Sequence, residues 1–335
     1  GYISIVLGIL LSSKFIISKN TRINFHMGLS ETNKSYIKGY IFLMLIGLCG
    51  YIYLINSIGG INYLLSNIHM RTSILSGKSY ILNIIDLMFI SVYFLIYSCK
   101  FKDSKLKRLF IIFNIGIVFA MMSVFGGRKA PLYFLLTSAI VWNFSVNRIK
   151  IINYKVLILI IPLSIYFICV PLFRTPGKFE YYKDNPDVLV ENIIESSNNI
   201  VKQTSYVDHY LLIINYFKDN LPWMGVTYLD LLKAPIPSTI IDNKPPVDDG
   251  VYVRTIAEGI DVKPNTPFKE LYQSSWPPET LGIAYMNYKI IGVIIFMIIL
   301  GFIYGKVYLY MKQSNYNLFY IYLYSVIITG FHLSN

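Results

Sequence analysis

The stretch VLILIIPLSIYFICVPLF at residues 156–173 carries no charged side chain, and RTPGKFEYYKDNPD follows it directly at residues 174–187. The first stretch is long enough to cross the hydrocarbon layer of a membrane as a helix. The second begins a run of roughly 108 mostly polar residues that ends at residue 281. This junction predicts a membrane protein with one large loop outside the bilayer.

The composition of the whole chain agrees with that prediction. Hydrophobic residues make up 55% of the chain and charged residues 14%, and the mean hydropathy is +0.52, more than a soluble core of this size needs. Seven apolar stretches predict membrane helices, at residues 39–58, 80–99, 109–125, 131–146, 156–173, 283–304 and 316–331. An eighth, at residues 1–11, is too short to span, and we interpret it as the stump of a truncated helix, with further helices expected beyond both ends.

The predicted fold is therefore an all-α polytopic membrane protein with three parts. An N-terminal transmembrane bundle covers residues 1–173, the large loop residues 174–281, and C-terminal transmembrane helices residues 282–335. Within the loop, apolar residues recur near helical spacing over residues 187–216, which predicts one or two amphipathic helices. Nine prolines between residues 221 and 278 exclude long helices there and leave room for a short one at residues 227–233.

The distribution of basic residues predicts how the chain is oriented in the membrane. The links at residues 12–38, 100–108, 147–155 and 305–315 hold five, five, three and two Lys or Arg, whereas those at 59–79 and 126–130 hold two each. By the positive-inside rule the first set is cytoplasmic, so the large loop lies on the outer face. The net charge of +12 is thus a signal of topology and does not indicate nucleic-acid binding.

Several kinds of chemistry lack their usual sequence signals. The chain has no phosphate-binding loop ending in Lys-Ser/Thr, no GxGxxG after a strand, no Asp-x-Asp pair and no metal-ligand spacing among its four histidines. Cys49, Cys99 and Cys169 all lie in apolar stretches, so the loop holds no disulfide. We expect no metal and no cofactor. A group donor used outside the cell is then expected to arrive through the membrane as a lipid diphosphate.

Cations at the predicted outer face suit such a donor, because a diphosphate needs several hydrogen-bond donors and arginine supplies a planar set of them. The candidates are Arg128, Lys129, Arg174, Lys244, Arg254 and Lys289. Interfacial snorkelling, or for Arg174 the favourable field at a helix C-terminus, is the structural alternative. Asp86 is the one acid inside an apolar stretch, and pairing with Lys289 at similar depth or contact with a substrate explains it equally well.

Candidate general bases are Asp208, His209 and Glu279. Histidine is a side chain that can accept a hydroxyl proton near neutrality, which makes His209 a candidate, and Glu279 follows a Ser-Ser-Trp-Pro-Pro segment. A surface histidine and a helix-capping glutamate are the alternatives. Trp276 and Tyr285 are candidates for stacking on sugar faces, although such residues also gather at membrane interfaces.

Several pieces of the chain together carry a resemblance to a known family. They are GGRKAPL at residues 126–132, FR at 173–174, APIP at 234–237, KP at 244–245, SSWPPETLG at 274–282, MNY at 286–288 and IG at 291–292. In this order, with the large loop between matching spans, they resemble the Wzy family of oligosaccharide repeat-unit (O-antigen) polymerases.

The resemblance implies a membrane-integral glycosyltransferase of the GT-C type in the bacterial inner membrane, with a periplasmic loop. Such enzymes move a growing chain from one undecaprenyl diphosphate onto the non-reducing sugar of another lipid-linked unit. Arg174, Arg254, His209 and Glu279 are then expected to be catalytic, and Arg128, Lys129, Lys244, Lys289, Trp276 and Tyr285 to bind substrate. Expected partners are the lipid-linked donor and acceptor, the bilayer and a chain-length regulator protein.

Two other functions remain open from the sequence. A ligase resembling the O-antigen ligases uses similar physics but moves the finished glycan to another acceptor. A transporter or flippase of lipid-linked sugar is expected to carry repeated halves or broken helices around a polar midplane site. Here polarity is concentrated in one loop instead.

Overall fold

A computed structural model of the protein describes residues 1–14, 32–149, 154–204, 207–233, 236, 240–241, 244–246, 248–272 and 274–330. In these residues the regular structure is helical and contains no strand, which confirms the all-α prediction for this part of the chain. The segment at residues 234–237, part of the resemblance, lies outside the described residues except for Ile236.

Helices form at each predicted apolar stretch and in the loop. In chain order they are α1 (Tyr2–Lys14), α2 (Asn33–Ile58), α3 (Ile61–Ser66), α4 (Arg71–Ile74), α5 (Ser79–Ile85), α6 (Leu87–Tyr97), α7 (Lys105–Ser123), α8 (Lys129–Ser145), α9 (Tyr154–Phe173), α10 (Lys178–Asp184), α11 (Pro186–Thr204), α12 (Val207–Asp219), α13 (Val226–Lys233), α14 (Gly250–Ala257), α15 (Glu279–Gln313) and α16 (Leu318–Gly330). The two amphipathic helices predicted in the loop are α11 and α12, and the short one is α13. Each is confirmed within a few residues.

Four helical segments of the described residues are long and apolar enough to cross a membrane. They are Asn33–Ile58, Ser79–Lys100, Lys105–Ser123 and Glu279–Gln313. Shorter apolar helices are Tyr2–Lys14, Leu163–Phe173 and Leu318–Thr329. These lengths and compositions are those of a membrane protein.

The described residues divide into two compact units. The bundle unit comprises the described residues of Asn24–Gln203 and Ser314–Ser325, and the loop unit those of Gly1–Ile23, Thr204–Gln313 and Val326–Asn335. The predicted boundaries at residues 173/174 and 281/282 follow polarity and stay a prediction.

In the bundle unit, α2 packs against α5 and α6, and α8 packs against α6 and α7. Capping residues fix two helix starts, because Thr32 and Ser104 each accept a hydrogen bond from the backbone three residues on. Close packing depends on small residues: a Cβ atom added at Gly47 would lie 2.4 Å from the Met88 side chain. This is the kind of contact that holds helices together where lipid removes the hydrophobic driving force.

The loop unit contains a second seam of small residues, between α1 and α15. A Cβ atom added at Gly8 would lie 2.1 Å from the carbonyl oxygen of Ile298, and one at Gly301 would lie 2.1 Å from that of Ile5. A Cβ atom added at Gly305 would lie 1.9 Å from the hydroxyl oxygen of Ser12. The two backbones therefore pack in direct contact through residues spaced four apart on each helix. The predicted stump is thus helical, and it packs along α15.

A break divides α15, where the sequence predicts one continuous span over residues 283–304. Tyr288 and Lys289 leave helical geometry, Lys289 with a φ of 52°. The freed carbonyl groups of Met286 and Asn287 accept hydrogen bonds from the Trp223 and Met224 N–H groups, both at 3.0 Å. The stretch after the break, residues 290–313, is roughly 36 Å long and can span alone.

Residues before the break pack with the loop. A buried cluster joins α12, α14 and the first part of α15, and its members are Ile213, Phe217, Trp223, Val251, Tyr252, Val253, Ile256, Val262, Leu271 and Met286. These residues give the polar loop a hydrophobic core of its own. This buried cluster therefore fixes the positions of the loop side chains that surround it.

Candidate functional site

A tight turn between α7 and α8 organises the first group of candidate residues. Gly126 has a φ of 65°, and a Cβ atom added there would lie 2.7 Å from the Ile68 side chain. Both the backbone conformation and the space thus favour glycine. Arg128 precedes α8, and exposed Lys129 begins it.

Arg174 reaches this turn from the end of α9. Its Nε donates a hydrogen bond of 2.9 Å to the carbonyl oxygen of Gly126, and its Nη2 donates to the same oxygen. Tyr166 Oη donates to the Gly127 carbonyl at 3.1 Å, and Arg128 Nη1 to the Phe167 carbonyl at 3.4 Å. The turn and the end of α9 therefore hold two of the predicted arginines near one another.

A third arginine, Arg71 at the start of α4, joins them. A Cβ atom added at Gly127 would lie 3.4 Å from Nη1 of Arg71. Burial, followed by repulsion from Arg71 and Arg128, lowers the pKa of Arg174 to about 10. Burial and then Arg128 lower the pKa of Arg71. We call Arg71, Arg128 and Arg174 the arginine cluster.

No carboxylate of the described residues forms an ion pair with this cluster. The ion pairs among the described residues involve other cations, namely Arg108, Lys183, Lys233 and Arg254. Three half-buried cations with no ion-pair partner among the described residues repel one another, which destabilises the folded state, and a bound anion relieves that repulsion. Their guanidinium groups supply the geometry that phosphate oxygens require. The positive charge and the hydrogen-bond donors of the arginine cluster are therefore suited to a multivalent anion.

The loop unit brings four other predicted residues together around one segment. The Arg254 guanidinium lies over the Tyr272 and Trp276 rings, 4.7 and 4.6 Å from their centroids, and pairs with Glu258. Glu258 and the two aromatic rings therefore stabilise the positive charge of Arg254 within the loop. Arg254 thus positions Trp276, and its predicted role on a diphosphate stays a prediction.

His209 covers the same Trp276 ring, with centroids 5.1 Å apart and planes 11° from parallel. Its Nδ1 lies 3.2 Å from the Pro277 carbonyl oxygen. Because a carbonyl oxygen only accepts, Nδ1–H is the donor in this contact, which leaves Nε2 as the acceptor nitrogen of the corresponding tautomer. Glu279, the first residue of α15, accepts a hydrogen bond of 3.1 Å from Tyr210.

The remaining predicted residues make other contacts. Lys244 Nζ donates to the Ile236 carbonyl at 2.8 Å. Lys289 lies at the break of α15, and Tyr285 packs against the loop's buried cluster. Asp86 lies between α5 and α6 in the bundle unit, whereas Lys289 belongs to the loop unit, so their pairing stays a prediction.

Sequence reasoning missed Arg71, although a signal was present. Arg71 lies in a predicted outer link, where the positive-inside bias makes a cation unfavourable, and the same argument singled out Arg128. It also missed Asp249, whose surroundings depend on how α13 and α14 fold. Comparisons with protein-family models, with curated proteins and with solved structures find no match to this chain.

Proposed function

We propose that this protein polymerises lipid-linked oligosaccharide repeat units into a surface polysaccharide at the outer face of a bacterial inner membrane. It acts as a GT-C-type glycosyltransferase with a periplasmic loop. The donor and the acceptor are units carried on undecaprenyl diphosphate. The resemblance to the Wzy polymerases supplies the reaction.

The observation that carries the proposal is the arginine cluster beside the turn at Gly126, which has no ion-pair partner among the described residues. Glycosyl transfer from a lipid diphosphate releases a diphosphate, whose charge grows as the bond to the anomeric carbon breaks. Prearranged cations stabilise that developing charge, and they cost no reorganisation when the reaction occurs. Arg128 and Arg174 take this role, with Arg71 beside them.

Two segments of the resemblance coincide with irregular structural features. The GGRKAPL segment forms the turn at the arginine cluster, and the MNY segment ends at the break of α15. Glycine at a positive φ and a helix break supported by loop hydrogen bonds are local constraints that tie the residue type to the structure. Two segments of the resemblance thus coincide with local structural constraints and not with apolar composition alone, which supports the proposal.

The test is a gel profile of surface polysaccharide from cells that lack the gene. The deletion strain is complemented with wild type, Arg174→Ala or Arg148→Ala, and the membrane level of each protein is measured. Arg148 is an exposed arginine in a predicted cytoplasmic link, which makes it a matched control. We expect single-repeat product from the deletion and from Arg174→Ala, and a full ladder from wild type and Arg148→Ala.

Other results point elsewhere. A full ladder from the deletion strain excludes polymerisation by this protein. A full ladder from Arg174→Ala at normal membrane level excludes the arginine cluster as the site. Loss of even the single capped unit indicates a ligase or a flippase.

A further inference from the structure

Carboxylates and tyrosine hydroxyls converge at a second place, within the loop unit. α13 carries Tyr228 and Asp230, Asp249 directly precedes α14, and Tyr252 lies in the first turn of α14. The Asp230 and Asp249 charges act on the Tyr252 hydroxyl, and the Asp249 charge acts on that of Tyr228. We call these four residues the acid–tyrosine cluster.

Three polar atoms of the cluster are buried and make no hydrogen bond with any described residue: Asp230 Oδ2, Tyr228 Oη and Tyr252 Oη. Asp230 is 4% exposed and Tyr252 0%. The Asn265 backbone approaches the Tyr252 hydroxyl too loosely for a hydrogen bond. Buried polar atoms without partners are rare in folded proteins, and three of them on neighbouring side chains leave hydrogen-bonding capacity for a bound polar molecule.

Neighbouring contacts hold the cluster in place. Asp230 Oδ1 accepts from Lys233 Nζ at 2.8 Å, and Asp248 Oδ1 accepts from the Gly250 N–H at 2.8 Å. The Tyr228 ring stacks on Phe296 at 4.7 Å. These contacts fix the positions of Asp230 and Tyr228 while Asp230 Oδ2 and Tyr228 Oη stay without a partner among the described residues.

The chemistry of the cluster selects its ligand. Two carboxylates repel an anion, and groups of His, Cys, Asp and Glu suited to a metal ion do not occur in the described part of the chain. Ionised carboxylates accept hydrogen bonds and tyrosine hydroxyls donate them. A neutral ligand with several hydroxyl groups matches both requirements, and a sugar is such a ligand.

One member of the cluster is also poised to exchange a proton near neutral pH. Burial raises the pKa of Asp249 to about 7, and the charges of Asp248 and Asp230 add to that effect. The groups that face it are Asp248, Asp230, Tyr228 and Tyr252, and Lys233 neutralises part of the Asp230 charge. A general base works best when its pKa lies near the working pH.

We propose that the acid–tyrosine cluster binds the acceptor sugar and that Asp249 takes the proton of its attacking hydroxyl. This inference rests on the proposed function and identifies the residues that bind the acceptor. As the hydroxyl oxygen bonds to the anomeric carbon of the donor, its proton passes to the Asp249 carboxylate. The bond from that carbon to the phosphate oxygen breaks, and its electron pair leaves with the lipid diphosphate.

The test uses the purified full chain in lipid nanodiscs, with lipid-linked repeat units extracted from the deletion strain. Polymer formation is measured from pH 5 to pH 9 for wild type, Asp249→Asn, Tyr252→Phe and Asp219→Asn. Asp219 is an exposed loop carboxylate and serves as the control. We expect a wild-type rate that rises with an inflection near pH 7, and the same profile for Asp219→Asn.

We expect Asp249→Asn to lose about 100-fold or more in rate and to lose the inflection, since removal of a general base costs roughly that much. Tyr252→Phe is expected to raise KM more than it lowers kcat. An Asp249→Asn protein with the wild-type rate and pH profile overturns the inference and leaves the proposed function standing. A wild-type protein that makes no polymer overturns the proposed function itself.

Discussion

Arg174 donates two hydrogen bonds from its guanidinium group to one acceptor, the carbonyl oxygen of Gly126. The contact ties the end of α9 to the turn before α8, and it brings the charge of Arg174 toward Arg71 and Arg128. Arg174 therefore has a structural and an electrostatic role at once. Substitutions that keep only one of the two roles can separate them.

Arg174→Lys keeps the charge but loses the planar pair of donors. We expect polymer formation to fall about 10- to 100-fold, because charge-assisted hydrogen bonds contribute roughly 1.5 to 3 kcal/mol each. The rate of the lysine variant is compared with those of wild type and Arg174→Ala in the nanodisc assay. Equal rates for lysine and arginine would mean that only charge matters here.

Gly126→Ala is expected to destabilise the protein, because alanine is strained at a φ of 65° and its Cβ meets Ile68. The cost is about 1 to 3 kcal/mol. Gly116→Ala is the matched control, since Gly116 lies inside α7 with open space around it and alanine favours a helix by roughly 0.5 to 1 kcal/mol. Thermal unfolding of both variants, followed by intrinsic fluorescence, should move Tm in opposite directions.

An anion should relieve the repulsion within the arginine cluster. We expect inorganic diphosphate to raise the Tm of the wild-type protein by about 2 °C or more at saturation, because a ligand that binds only the folded state stabilises it. Arg71→Gln should remove most of this rise, whereas Arg148→Gln should keep it. Sodium chloride at equal ionic strength controls for general screening. An identical rise in all three proteins would show that diphosphate acts elsewhere.

Apolar runs and turn residues predict most of the helices, but not the break of α15. The segment around Tyr288 and Lys289 contains neither proline nor another helix breaker, and Gly292 comes only afterwards. The break depends on partners more than 60 residues away, since the Trp223 and Met224 N–H groups take up the freed carbonyl groups. A long-range requirement of this kind leaves no local pattern.

The grouping of the candidate site residues also depends on long-range contacts that leave no local sequence pattern. Positive charge in a short outer link was enough to select Arg128, and it would have selected Arg71 by the same argument. Nothing in the spacing brings Arg71 to a turn 55 residues later, or Asp249 toward Tyr228 and Tyr252. These groupings follow from tertiary packing, so the sequence predicts cations in the outer links but neither their grouping nor the role of Asp249.

Asn287 supports the break of α15 through its side chain. Its Oδ1 accepts from the Gly225 N–H at 3.0 Å, and its Nδ2 donates to Thr227 Oγ1 at 2.8 Å and to the Ile283 carbonyl at 2.9 Å. Asn287→Leu leaves these buried groups unpaired, at a cost of roughly 1 to 3 kcal/mol per group. We expect a clear fall in Tm. The control is Ile295→Leu on the exposed side of the same helix, which should leave Tm unchanged.

The raised pKa of Asp249 makes folding stability depend on pH. A carboxyl group whose pKa is about 7 when folded, and near 3.8 when unfolded, binds more protons in the folded state between those values. Its contribution to stability is therefore fully present below about pH 4 and is lost as the pH rises through 7. Asp249→Asn removes that loss, so its Tm should exceed that of wild type at pH 8 and approach it at pH 5. Asp219→Asn, measured in parallel, reports the effect of removing an exposed loop carboxylate. If the Asp249→Asn difference has the same size at both pH values, the Asp249 carboxyl does not titrate in this range in the folded protein.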